Sequence, residues 1–214
     1  MVAPPDTLAS RLETGAVGLD AAVEVGVGVA LALDALHRTG AASGALCPQT
    51  VRLDGDVPTL AVVDVDGDGT ALACPKVYLA PELQAGGWPD SRSDLFALGG
   101  LVHEMATGRR PFEQTEGADL AAAMRAGRFT RLDQHDPMAP PSLSRIVAIC
   151  LAPDPDDRWQ SARDFGRELG AAGAFDEPAP ERLEDDSRAS PATLYGVNGL
   201  VAGIVVSGAW RAFG

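Results

Sequence analysis

The stretch from Arg92 to Thr107, "RSDLFALGGLVHEMAT", constrains this chain more than any other part of it. Leu95 to Leu98 run unbroken, and Leu101, Val102, Met105 and Ala106 continue the apolar pattern. A helix that is apolar on most of its faces has to be covered by other elements, so a core must be built against it. Gly108 stands just past its end, where a helix stop is expected. A second run, "LDAAVEVGVGVALALDALHR" from Leu19 to Arg38, places apolar residues at helical spacing between Asp20 and Gly40, and predicts a long, mostly buried helix. The chain has 214 residues, 46% of them hydrophobic, which is material for one domain of ordinary size plus a tail.

The remaining elements are short. "VRLDGDVPTLAVVDVDG" reads as two strands, Val51 to Leu53 and Thr59 to Val63, joined by a turn at Asp54-Gly55-Asp56. Helices are predicted over Asp119 to Ala126, Ser142 to Leu151 and Ser161 to Leu169. The expected fold class is mainly α, with one small β-hairpin, in a folded domain spanning 1–172. Residues 173–192 hold "FDEPAPERLEDDSRASP", rich in Pro and acids and poor in apolar side chains, and read as a disordered linker. Residues 193–214 are an apolar C-terminal segment that reads two ways. As a membrane span, the 17 residues from Leu194 to Trp210 sit at the short limit, with Gly199, Gly203 and Ser207 as a small-residue stripe and Tyr195 and Trp210 as interface aromatics. Alternatively the glycines and Asn198 weaken the helix and the segment docks on the domain.

Composition removes several classes. Seventeen basic against thirty acidic residues give a net charge of −13, which argues against a nucleic-acid surface, because phosphate neutralisation needs clustered Lys and Arg. Cys47, Cys74 and Cys150 are odd in number and widely spaced, so neither a disulfide framework nor a zinc site is indicated. No signal peptide is visible at the N-terminus. A cytoplasmic location is expected, with anchoring to the inner membrane if the C-terminal segment spans it.

In order and content the elements resemble the C-terminal lobe of a bacterial eukaryotic-like (Hanks-type) Ser/Thr protein kinase, over about Leu8 to Leu169. Ala80-Pro81-Glu82 stands where that family's A-P-E closes the activation segment, and "SDLFALG" resembles the opening of its F helix, with Asp94 as the buried acid. "GRRPF" and "DPDDRWQSA" look like the end of that helix and the late turn that carries an Arg. The resemblance implies structural roles for Asp94 and for an ion pair between Glu82 and Arg158.

Phosphoryl transfer requires parts that can be sought one by one. Where the family has H-R-D-L-x-x-x-N this chain reads Ser43-Gly44-Ala45-Leu46-Cys47-Pro48-Gln49-Thr50, with Leu46 and Pro48 fixing the register. The general base is then Ala45, which cannot take a proton, the Lys position is Cys47, and the metal-binding Asn is Thr50. The D-F-G position falls at Asp64-Val65-Asp66, leaving Asp64 as the remnant carboxylate. Only 13 residues, Gly67 to Leu79, separate it from Ala80, with Thr70 and Tyr78 the only hydroxyls among them. Cys74 stands near the family's substrate-side threonine. The chain begins at what resembles the D helix, with no G-x-G-x-x-G and no strand lysine upstream, so the ATP-binding lobe is expected to be absent and no cofactor is expected.

Two other patterns compete. Asp64, Asp66, Asp68 and Gly69 match the first positions of a calcium loop, but position 12 is Pro75 rather than Glu, so they are weak metal candidates and a solvated acidic turn is the plainer reading. His37, His103 and His135 lack ligand spacing; His37 is expected to cap its own helix and His103 to belong to the core.

The expectation is a catalytically inactive kinase-like domain acting as a protein-interaction module, its partner a kinase, a substrate or a second copy. An exposed apolar surface is expected where the missing lobe would sit. The alternative is a truncated kinase gene product whose ATP-binding lobe is supplied in trans.

Overall fold

A computed structural model describes residues 7–54, 57–60, 74–112 and 117–174. Its elements, in chain order, are α1 (Leu8–Leu12), α2 (Leu19–His37), β1 (Val51–Asp54), β2 (Val57–Leu60), α3 (Pro81–Gln84), α4 (Ser91–Thr107), α5 (Gly117–Arg125), α6 (Leu132–His135), α7 (Pro141–Cys150) and α8 (Ala162–Ala174), with a 3-10 turn at Pro155–Asp157 before α8.

The apolar run becomes α4 because both of its ends are fixed locally. The Asp90 side chain accepts from the backbone N–H of Arg92 and of Ser93, each at 2.9 Å, and Ser93 Oγ accepts in return from Asp90 N–H at 3.0 Å. This is a closed capping box. At the other end Gly108 takes φ +70°, the left-handed turn that lets its N–H reach the carbonyl of Glu104. Between the caps, Ser93 to His103 are all buried. Helix α2 packs on α4 and α8, and α4 packs in turn on α7, so α4 forms the middle of the domain.

Gly99 explains how α7 comes so close. A Cβ at that position would lie 2.3 Å from Cys150 Cβ, so the glycine that weakens the helix locally is what allows the two backbones to approach. Gly99→Ala is expected to destabilise the chain by about 1–3 kcal/mol through overpacking, and Gly99→Ala with Cys150→Gly to recover part of that loss, both read by urea denaturation.

Two boundaries differ from expectation. The second strand is Val57–Leu60, earlier than Thr59 to Val63, and pairs antiparallel with β1 so that Leu53 faces Pro58. A two-stranded ribbon leaves each strand an outer edge, and a proline whose missing N–H falls there costs no ladder bond. Helix α8 runs past Leu169, and past the expected domain limit at 172, to Ala174. Its small residues lie against α2: a Cβ at Gly173 would meet Val23 Cγ1 at 2.8 Å, and Ala172 is buried. Packing on α2 therefore holds a segment whose local propensity is poor.

The expected apolar surface is not found among the described residues. Their large exposed hydrophobic side chains are Leu31, Trp88 and Met138, on α2, the loop before α4 and the loop before α7. Residues 61–63 of the expected second strand, the Asp64-Val65-Asp66 triplet, Asp68, Thr70, and the expected linker and apolar tail from 175 onward lie outside the described residues. Within the described residues no helix is long and apolar enough to cross a membrane.

Candidate functional site

Segment 43–50 leaves α2 and crosses in front of α4, held there by one carboxylate. Asp94, 1% exposed, accepts from Ser43 N–H at 2.7 Å through Oδ2 and from Gly44 N–H at 2.8 Å through Oδ1. His37 Nε2 lies 2.9 Å from the same Oδ2, and since an ionised carboxylate only accepts, the imidazole donates. The histidine therefore does not cap its own helix as expected; it ties the end of α2 to α4. Gly44 adopts φ +64°, which an arginine in that place would find strained.

Of the positions where phosphoryl-transfer groups were sought, 45, 47 and 50 fall within the described residues. Ala45 is half-buried and offers a methyl. Thr50 is 2% exposed, and its hydroxyl faces the loop's own backbone: it accepts from Cys47 N–H at 3.0 Å and lies 3.1 Å from the Ala45 carbonyl and 2.9 Å from the Cys47 carbonyl. Thr50 thus closes the turn. Among the described residues no group of three His, Cys, Asp or Glu side chains could hold a metal ion.

Cys47 and Cys74, distant in sequence, are neighbours. Cys74 Sγ donates to the Leu46 carbonyl at 3.4 Å. The Cys74 thiol also holds the Cys47 thiol down at about 6, aided by the Thr50 hydroxyl and the N–H groups of Gln49 and Thr50 against the opposing effect of burial. Cys74 itself is pushed up, first by that same hydrogen bond and then by burial.

Beside this loop lies a cleft of about 270 Å³ between α1, residues 48–49, residues 75–78 and the end of α4. Leu12, Glu13, Pro48, Gln49, Pro75, Tyr78, Glu104 and Arg110 line it. Tyr78 donates its hydroxyl to Glu104, and burial followed by that carboxylate pushes the phenol up, so it stays protonated. Gln84 Nε2 donates to the carbonyls of Lys76 at 3.0 Å and Leu79 at 2.9 Å, pinning the wall that carries Tyr78. Sequence reading did not find this cleft, since its walls come from four separated stretches.

Ala80-Pro81-Glu82 starts α3, and Glu82 reaches the turn before α8. Arg158 gives its carboxylate two bonds, Nη1 to Oε1 at 2.7 Å and Nη2 to Oε2 at 2.8 Å. His103 is buried in α4 with its ring nitrogens 2.8 Å and 2.9 Å from the carbonyls of Arg109 and Thr130. His135 stacks its ring edge-on to it at 5.4 Å.

The family described as protein tyrosine and serine/threonine kinase matches residues 61–163. The serine/threonine-protein kinase PknL of Mycobacterium tuberculosis is 30% identical over 171 residues, covering 69% of this chain and 41% of that protein. The serine/threonine-protein kinase PknH of Mycobacterium bovis is 28% identical over 192 residues, covering 85% and 32%. The chain thus spans less than half the length of these relatives. The crystal structure of the Mycobacterium tuberculosis PknI kinase domain superposes with a TM-score of 0.61 at 23% identity, covering 80% of this chain and 64% of that domain, a likeness of fold.

Proposed function

We propose, for a chain that belongs to the bacterial eukaryotic-like Ser/Thr protein kinase family, that residues 7–174 act as a non-catalytic recognition module holding a segment of a partner protein in the cleft beside Tyr78. One observation carries the reading: the loop from 43 to 50 keeps its backbone position on Asp94, while Ala45 has no acid–base group and Thr50 spends its hydroxyl on the loop itself. A kinase needs a group that orients and deprotonates the attacking hydroxyl, and it needs ligands for the metal that neutralises the phosphates. The cleft, by contrast, is lined and braced. The competing reading is a truncated kinase completed in trans by an ATP-binding lobe; it rests on the relatives being kinases and on Asp64 as a remaining carboxylate.

Two measurements on the full chain separate these readings. With labelled ATP and Mg²⁺ or Mn²⁺, no transfer to the chain or to an added basic protein is expected. Metal-dependent transfer that Thr50→Ala abolishes would overturn the proposal. Peptides selected from a displayed library on the immobilised chain are expected to compete for one site. Gln49→Arg and Glu13→Arg, both at exposed positions of the cleft, should weaken binding about tenfold or more, the loss typical of blocking a central contact.

A further inference from the structure

Cysteine usage in this domain is uneven. Cys150 is fully buried between α7 and α4, and burial pushes its thiol well above the usual range, so it is inert packing. Cys47 and Cys74 are different, because the fold brings them together from either side of the hairpin. Leu46, whose carbonyl accepts from Cys74 Sγ at 3.4 Å, is the residue immediately before Cys47, so the Cys74 sulfur lies against the backbone that leads into Cys47. Thr50 Oγ1 lies 3.9 Å from Cys47 Sγ on the other side. Cys47 is 1% exposed, whereas Cys74 is half-buried and stands next to Pro75, which lines the cleft.

We propose that Cys47 and Cys74 form a reversible intramolecular disulfide that locks segment 46–50 to segment 74–79, closed by a peroxide-class oxidant and opened by a thiol. The chemistry balances with hydrogen peroxide as the oxidant. A thiolate sulfur of the pair attacks one peroxide oxygen, the O–O bond breaks, and a sulfenic acid forms as hydroxide leaves and takes up a proton. The second thiol then attacks that sulfur, forming the S–S bond and expelling water. Two thiols and one peroxide become one disulfide and two waters. The first step needs a thiolate, and the Cys74 thiol, the Thr50 hydroxyl and the N–H groups of Gln49 and Thr50 favour that form at Cys47. A metal is a poorer occupant: the pair alone supplies two ligands, short of the four that a structural zinc takes.

The link would join the two segments that supply Pro48, Gln49, Pro75 and Tyr78 to the cleft. Pro48 and Gln49 follow Cys47 on one wall, and Pro75 and Tyr78 follow Cys74 on the other, so oxidation fixes the spacing of the two walls. The full chain is treated with hydrogen peroxide, alkylated with N-ethylmaleimide and digested with trypsin without reductant. The expected product joins residues 39–52 to residues 53–76, lighter than the two peptides together by about two hydrogens. Native free thiols should fall from three to one and return with dithiothreitol. Cys150→Ser should leave the product unchanged, while Cys47→Ser and Cys74→Ser should each abolish it. A bridge to residues 146–158, a dimer between chains, or over-oxidised Cys47 with no bridge would each overturn the proposal. Should a serine variant fail to fold, the peptide map of the unaltered chain still decides. None of these outcomes depends on whether the cleft binds a peptide.

Discussion

Replacing Arg158 with alanine is expected to lower the unfolding free energy by about 3–5 kcal/mol, the range for breaking a buried, fully hydrogen-bonded ion pair. A guanidinium has five N–H donors, and here every one is used. Nε donates to the Ala152 carbonyl at 2.8 Å; Nη1 donates to Glu82 and to the Arg92 carbonyl at 3.2 Å; Nη2 donates to Glu82 and to the Pro153 carbonyl at 3.0 Å. The side chain is 0% exposed and its guanidinium lies 4.9 Å from the centre of the Phe96 ring, so alanine would leave a cavity and remove the donors to the Ala152 and Pro153 carbonyls. Glu82 is 27% exposed and could recover water, which makes the two partners unequal. Glu82→Ala strands a charge that cannot hydrate and should cost about as much as Arg158→Ala. The double variant should cost clearly less than the sum, because each single change already removes the shared bonds. Arg158→Lys is not expected to rescue, since an ammonium has three donors and no fork. Urea unfolding of the unaltered chain and the four variants gives these values. A loss under about 1 kcal/mol for Arg158→Ala would mean the pair is a solvated surface contact, contrary to its burial.

This pair was legible in the sequence only through order: an Ala-Pro-Glu, an apolar helix and a late Arg follow one another as in the kinase family, though Glu82 and Arg158 stand 76 positions apart. The two long helices were legible for a more general reason, since runs such as Leu95 to Leu98 have no stable place except a core. Element ends were less so. Nothing local carries α8 on to Ala174; Val23 and its neighbours on α2 do, and they are invisible from the C-terminal side of the sequence. The second strand begins at Val57, before the expected Thr59, because it pairs with β1, a partner the local sequence does not show. At the site, Ala45 and Thr50 could be placed by register, but where the Thr50 hydroxyl points depends on a turn that sequence does not specify. Cys47 and Cys74 looked unrelated for the same reason: 27 positions separate them, and only the path of the chain past the hairpin closes that gap.

Asp94→Asn is expected to cost about 2–3 kcal/mol and Asp94→Ala about 3–5 kcal/mol, and both should loosen residues 43–50 before the rest of the chain. The asparagine variant is the sharper probe because it keeps size and removes only acceptor capacity. The native carboxylate receives two backbone N–H groups on different oxygens and His37 on one of them. An amide has one accepting oxygen, so whichever way it turns, its NH2 faces the N–H of Ser43 or of Gly44. A buried donor facing a donor loses its bond and gains no water, which costs about 1–3 kcal/mol per orphaned group. His37→Ala removes a single donor from a ring that is 12% exposed and should cost about 1 kcal/mol. Hydrogen exchange separates anchoring of the loop from general packing: in Asp94→Asn the amides of Ser43 and Gly44 should exchange at least about tenfold faster while those in the middle of α4 change by no more than the global loss of stability allows. Uniform acceleration across α4 and the loop would instead make Asp94 an ordinary core residue. If the loop alone is released, the fold is using a buried carboxylate to position a segment with Ala45 and Thr50 at the places where a base and a metal-binding Asn were sought, and the cleft wall that Pro48 and Gln49 form is a reason for keeping that segment in place.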